Sequence, residues 1–208
     1  MKVYDKLTTL QQLIENKIIA VIRGENVQEA AKIVEGAYLG GIKVMEVTYT
    51  VPNASKLIKD LSEQDDKDWV IGAGTVLDEV TARLAILSGA SFIVSPSFDE
   101  KVAKLCNRYQ VPYIPGCFTA SEIIKAMEAG ADIIKIFPGN AVSPSFIKTI
   151  KGPIPQVNLM PSGGVNLNNI TEWIDNGAVA VSIGSNIYKD SIEEIKEAAS
   201  EIVNIMQR

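Results

Sequence analysis

Short, wholly apolar runs alternate along the chain with longer segments of helical spacing. The runs fall at 18–22, 43–48, 69–74, 92–95, 112–115, 133–137, 157–161 and 180–184. They are apolar on both parities rather than alternating, the pattern of strands covered on both faces of a parallel sheet. Between them, segments such as Val27–Leu39, 54–61, Glu79–Leu87 and 101–109 repeat apolar residues at three- and four-residue steps, which predicts helices. Gly40-Gly41-Ile42, Gly89-Ala90-Ser91, Gly130-Ala131-Asp132 and Gly177-Ala178-Val179 mark helix-to-strand junctions, where glycine takes the left-handed cap.

Consecutive junctions bracket two strand–helix units each, so one unit takes roughly 20–24 residues, short but in range for βα units. Eight strands alternating with eight helices predict an α/β fold, a (β/α)8 TIM barrel. Segment 4–16 is then an additional N-terminal helix. No linker, low-complexity stretch or like-charge block interrupts residues 1–208, which predicts a single domain. The structural rival is a doubly wound open sheet. Its nucleotide fingerprint fails, because Leu77 stands where the third glycine should follow Gly72 and Gly74.

Composition narrows the chemistry. Among 208 residues there is no histidine, which excludes Ser-His-Asp and Cys-His nucleophile pairs, His-ligated zinc and imidazole acid–base catalysis. Twenty Lys and Arg against 25 Asp and Glu give a net charge of −5, so no nucleic-acid footprint is expected. The two cysteines, Cys106 and Cys117, are too few for a disulfide framework, which points to a reduced, cytoplasmic setting. The first residues lack the apolar core of a signal peptide, and the longest uncharged stretch, 152–171, is broken by Pro, Gly and Asn. No membrane span is expected.

A covered strand is an expensive place for a charge. Lys135 nevertheless sits inside Ile133-Ile134-Lys135-Ile136-Phe137, and Glu46 inside Val44-Met45-Glu46-Val47-Thr48. With period two, Ile133, Lys135 and Phe137 share one face, as do Val44, Glu46 and Thr48. Both charges lie towards the C-terminal strand ends, where barrel active sites are built. One reading is a nucleophilic amine that forms a Schiff base, beside a carboxylate that moves protons. The other is a buried structural ion pair.

A second cluster points to an anion. The seventh strand ends in Pro161-Ser162-Gly163-Gly164-Val165 and the eighth in Ser182-Ile183-Gly184-Ser185-Asn186. Those two loops are the usual phosphate site of such barrels, with glycine N–H groups approaching the oxygens and Ser185 adding a hydroxyl. Arg23, at the end of the first strand, supplies positive charge. The alternative is that these glycines only make tight turns.

Other strand-end residues carry two readings each. Thr75 is a donor to a substrate carboxylate or a cap ahead of Asp78. Phe137 is a wall of the lysine pocket or plain core. Pro96, Pro115 and Pro138 fix loop entry. Cys117 reads as packing, since no histidine is present to activate it. Segment 191–207 is the last barrel helix.

Glu46-Val47-Thr48, Gly72-Ala73-Gly74-Thr75-Val76, Ile93-Val94-Ser95-Pro96, Ile114-Pro115-Gly116, Lys135-Ile136-Phe137-Pro138 and Pro161-Ser162-Gly163-Gly164-Val165 occur in order, within a resemblance that runs over residues 18–187. Together they resemble the class I 2-keto-3-deoxy-6-phosphogluconate (KDPG) and 4-hydroxy-2-oxoglutarate (KHG) aldolases. The resemblance implies a homotrimeric barrel that splits KDPG into pyruvate and D-glyceraldehyde 3-phosphate with no metal or organic cofactor. It implies Lys135 as Schiff-base lysine and Glu46 as general acid/base. Thr75 becomes a contact to the pyruvate carboxylate, and Gly163, Gly164, Ser185 and Arg23 the phosphate site.

Two positions depart from the family pattern. Thr50 stands where many members carry an arginine for the pyruvate carboxylate, and a hydroxyl cannot make that bidentate pair. Ser162 replaces a common threonine beside the aldehyde region, a difference of up to roughly 1 kcal/mol in discrimination. KHG cleavage to pyruvate and glyoxylate, the C4-epimeric phosphogalactonate substrate, a phosphate-binding isomerase or decarboxylase, and a non-catalytic phosphosugar-binding barrel are the alternatives.

Overall fold

The glycine punctuation has a geometric basis. In the computed structural model, which describes residues 6–207, Gly41, Gly89, Gly130 and Gly177 have φ of 96°, 99°, 89° and 100°. Each closes its helix with the same two bonds. Gly41 N–H donates to Tyr38 O at 2.9 Å and Ile42 N–H to Ala37 O at 3.0 Å, and the other three junctions repeat this pair. A side chain would be strained at that φ, so glycine turns the chain into the next strand.

The strands are β1 (Ile18–Ile22), β2 (Val44–Thr48), β3 (Val70–Gly74), β4 (Ile93–Val94), β5 (Tyr113–Ile114), β6 (Gly116–Cys117), β7 (Ile134–Ile136), β8 (Leu159–Pro161) and β9 (Val181–Ile183). Helix α1 (Lys6–Asn16) precedes them. Between and after them come α2 (Val27–Leu39), α3 (Ala54–Ser62), α4 (Glu79–Leu87), α5 (Glu100–Tyr109), α6 (Ala120–Glu128), α7 (Ser145–Lys151), α8 (Ile170–Asp175) and α9 (Ile192–Met206). The expected N-terminal helix is present from Lys6; Tyr4 and Asp5 of its expected span lie outside the described residues.

The fold is α/β, with a parallel, curled, TIM-barrel-like sheet. One sheet runs β5-β4-β3-β2-β1-β9 and the other β6-β7-β8, with every pair parallel. The expected fifth strand, 112–115, holds β5, and strand pairing resumes beyond its expected end as β6. Pro115 stands between them and has no N–H to give the ladder, although its carbonyl still accepts from Lys135 N–H at 2.9 Å. Just past the end of β8, Ser162 forms a parallel bridge with Ser182 of β9.

Two apolar layers hold the fold. Ile19, Val44, Val70, Phe92, Ile114, Ile133, Met160 and Ala180 form an inner cluster with Leu13 of α1. Each of these strand residues lies at or within one residue of a strand's first position, so α1 closes the end from which the strands rise. Leu13 has no exposed surface, and truncating it to alanine should cost about 2–5 kcal/mol. A second, larger cluster lies between the outer sheet face and the helices. The opposite, C-terminal end of the strands is left open to chemistry.

Candidate active site

Glu46 and Lys135 belong to different sheets, yet Lys135 Nζ lies 3.8 Å from Glu46 Oε1 across the interior. Their side chains are only 1% and 8% exposed respectively. The inward parity expected for both strands holds: Val44 and Ile133, two residues earlier, are in the inner cluster. Room for the carboxyl comes from β3, where Thr48 pairs with Gly74 and Glu46 with Gly72. A Cβ at Gly74 would overlap the Glu46 carboxyl, and one at Gly72 would overlap the Phe92 ring.

Burial pushes the Glu46 carboxyl above the ordinary carboxylate range, opposed by the positive charges of Lys135 and Arg23. Its Oε2 is buried and has no hydrogen-bond partner among the described residues. Such an oxygen is placed to accept a proton from a group that enters the site. Lys135 Nζ also lies 5.2 Å from the centroid of the Phe137 ring.

Above this pair opens a cavity of about 370 Å³. Lys135 and Phe137 line it from one side, Arg23 and Thr75 from others, and the 162–165 loop with Ser185 covers a further wall. Thr75 holds φ 56°, a left-handed conformation that costs a β-branched residue about 1–3 kcal/mol. Gly163 and Gly164 also have positive φ, 92° and 76°. Behind them Gly139 N–H donates to Ser162 O at 2.8 Å, tying the loop after β7 to the loop after β8.

A family model described as KDPG and KHG aldolase matches residues 10–205. The chain belongs to the KDPG and KHG aldolase family. It is 34% identical to 2-dehydro-3-deoxy-phosphogluconate aldolase of Treponema pallidum (strain Nichols), over 86% of this chain and 85% of that one. It is 32% identical to 2-dehydro-3-deoxy-6-phosphogalactonate aldolase of Escherichia coli (strain K12), over 89% and 92%. Among solved structures it resembles the KDPG aldolase of Legionella pneumophila, in which pyruvate was captured as a covalent carbinolamine. The TM-score is 0.81 at 30% identity, covering 88% of this chain and 92% of that one.

Within this aldolase family member, the cavity gathers Arg23, Thr75, Lys135, Phe137, Ser162, Gly163, Gly164 and Ser185, and Glu46 reaches it through its contact with Lys135. Thr50 is not brought in. It is exposed, and its hydroxyl lies 2.7 Å from that of Thr48, which donates to Ile22 O at 3.0 Å. Cys117 is buried and burial pushes its thiol up to about 12, in keeping with a packing role. No helix among the described residues is long and apolar enough to cross a membrane.

Sequence reasoning missed Tyr188, Val21 and Ser182 as lining residues. Val21 and Ser182 share the inner parity of their strands and were open to the same argument as Lys135. Tyr188 lies in an irregular segment, where periodicity says nothing about direction. Only the hydrogen bond from its hydroxyl to Val21 O, 2.8 Å, shows that it folds back over β1.

Proposed function

We propose that this protein is a Schiff-base aldolase that cleaves KDPG to pyruvate and D-glyceraldehyde 3-phosphate. The observation that carries the reading is the 3.8 Å approach of buried Lys135 to buried Glu46 beneath an open cavity. A structural ion pair needs no cavity above it and no unpartnered carboxyl oxygen.

In this mechanism the Lys135 amine adds to the C2 ketone, and loss of water leaves an iminium. Glu46 takes the proton of the C4 hydroxyl. The C3–C4 bond breaks, its electrons pass into the iminium to give an enamine, and the aldehyde departs. The protonated Glu46 returns its proton to C3, and hydrolysis frees pyruvate and Lys135. No metal or organic cofactor takes part in any step. Thr75 holds the pyruvate carboxylate, Phe137 walls the amine, and Ser162 faces the aldehyde half. Arg23, Gly163, Gly164 and Ser185 hold the phosphate. The carbinolamine of the Legionella relative supports the first step, being the adduct that precedes an iminium.

Residues 1–208 form one domain, an eight-stranded barrel in which β5 and β6 count as a single strand interrupted at Pro115. The bridge from Ser162 to Ser182 supports closure. The protein acts in the cytoplasm, in the Entner–Doudoroff route, as a homotrimer. An apolar stripe on α4 and the residue before its cap supports assembly: Leu77, Val80, Leu84 and Leu87 are 62%, 65%, 51% and 62% exposed.

Borohydride reduction in the presence of pyruvate tests the mechanism. The expected result is a stable adduct on Lys135, mapped by peptide mass spectrometry; no adduct, or one on another lysine, overturns it. The second reading is the C4-epimeric phosphogalactonate substrate, favoured by the similarity to the E. coli enzyme. Comparing kcat/KM for the two epimers and for KHG decides between them.

A further inference from the structure

Tyr188 has no part in the mechanism above, yet it lines the cavity. Its hydroxyl donates to Val21 O at 2.8 Å, and Val21 pairs directly with Glu46 in the β1–β2 register. On its other side, a Cβ at Gly184 would lie 3.0 Å from the same hydroxyl oxygen. The phenol oxygen therefore stands between the level of the reactive pair and the loop that carries Ser185. Its single proton is committed to Val21 O, so towards the cavity it presents only lone pairs. Burial raises its pKa to about 12, which keeps that proton in place. An oxygen of this kind selects for a hydroxyl donor and gains nothing from a carbon–hydrogen bond.

We propose that Tyr188 is a specificity-determining residue whose hydroxyl oxygen accepts a hydrogen bond from the C5 hydroxyl of the sugar acid, the hydroxyl of the aldehyde fragment. The proposal rests on the aldolase reading. In that reading C2 is fixed at Lys135 and the phosphate at the Gly163–Gly164 and Ser185 loops. The chain between them runs past Tyr188, with the C4 hydroxyl already engaged by Glu46. A site built to accept from a hydroxyl discriminates against the analogue that lacks it, because the accepting oxygen is then left unpaired.

The test is pyruvate addition to two aldehydes, glyceraldehyde 3-phosphate and 3-phosphonooxypropanal, which keeps the phosphate and lacks the hydroxyl. With Tyr188→Phe, kcat/KM should fall about tenfold for the first, the loss of one neutral hydrogen bond. It should stay within about twofold for the second. Equal losses with both aldehydes, the signature of a merely structural bond to Val21, overturn the proposal, as does no loss with either. A wild-type protein that joins pyruvate to neither aldehyde overturns the aldolase reading itself. A working wild type with equal losses in the variant overturns only the role of Tyr188.

Discussion

The carboxyl of Glu46 occupies the volume that a side chain at Gly74 would fill. β2 and β3 are neighbours in register, Thr48 opposite Gly74, so this vacancy is written into the pairing of the two strands. Lys135 then meets the carboxyl from β7, across the interior. The site depends on a missing side chain as much as on the two present.

Gly74→Ala should displace the Glu46 carboxyl while leaving Lys135 in place. A displacement of about 1 Å can cost on the order of 100-fold in rate. The expected outcome is a kcat lower by at least about tenfold, with pyruvate still trapped on Lys135 by borohydride. Steady-state kinetics alongside trapping separates the two steps. Full kcat in the variant would show that the carboxyl position is immaterial.

The raised pKa of Glu46 predicts an acidic limb in the rate profile. Burial lifts it, and the charges of Lys135 and Arg23 only partly offset that. As the pH falls through this raised value the carboxylate is protonated and can no longer take the C4 proton. Activity should therefore begin to fall at a pH above the ordinary carboxylate value of about 4.3. Glu46→Gln should lower kcat by about 10²–10⁴-fold and abolish that limb. A limb that persists in the glutamine variant assigns it to another group.

Much of this arrangement is legible in the sequence because strand parity is rigid. Lys135 and Glu46 are charges in apolar runs, and period two fixes their face; the four junction glycines likewise require one local geometry. Register between strands is different. That Gly74 faces Glu46 depends on pairing over a distance, which no local pattern contains. The division at Pro115 was visible as a residue but not as a consequence, since its cost depends on which neighbour its N–H would have met. Thr50 shows the converse limit. Its place in the motif suggests a ligand contact, while one hydrogen bond to Thr48 holds it outside the cavity.

A substitution in the phosphate loop should discriminate between substrates. Gly164 has φ 76°, and a Cβ there would lie 2.8 Å from Asn140 Cβ. Gly164→Ala should thus distort the loop between Ser162 and Val165. The expected outcome is a KM for KDPG raised about tenfold or more, the scale of one charge-assisted hydrogen bond, with KM for unphosphorylated KHG little changed. Parallel assays on the two substrates check this. Equal changes in both would mean that the loop supports the lysine pocket rather than the phosphate.

The exposed side of α4 yields the final prediction. Val80, Leu84 and Leu87 follow Leu77 at helical steps, while Ala82 and Ala85 on the opposite side are fully buried. The helix is thus apolar on both sides, although only one is covered within the described chain. At its edge Glu79 has a partner in Lys101 at 3.7 Å, and the Arg83 guanidinium lies 5.6 Å from the centroid of the Tyr109 ring. Single exposed leucines are ordinary on a monomer, but a continuous row marks a contact surface. Placing an ammonium at its centre, Leu84→Lys, buries an unpaired charge only in the assembled form. Light scattering should therefore report a trimer for the wild type and a monomer for the variant, with the far-ultraviolet circular dichroism of the two alike. A variant that remains trimeric would move the subunit interface away from α4.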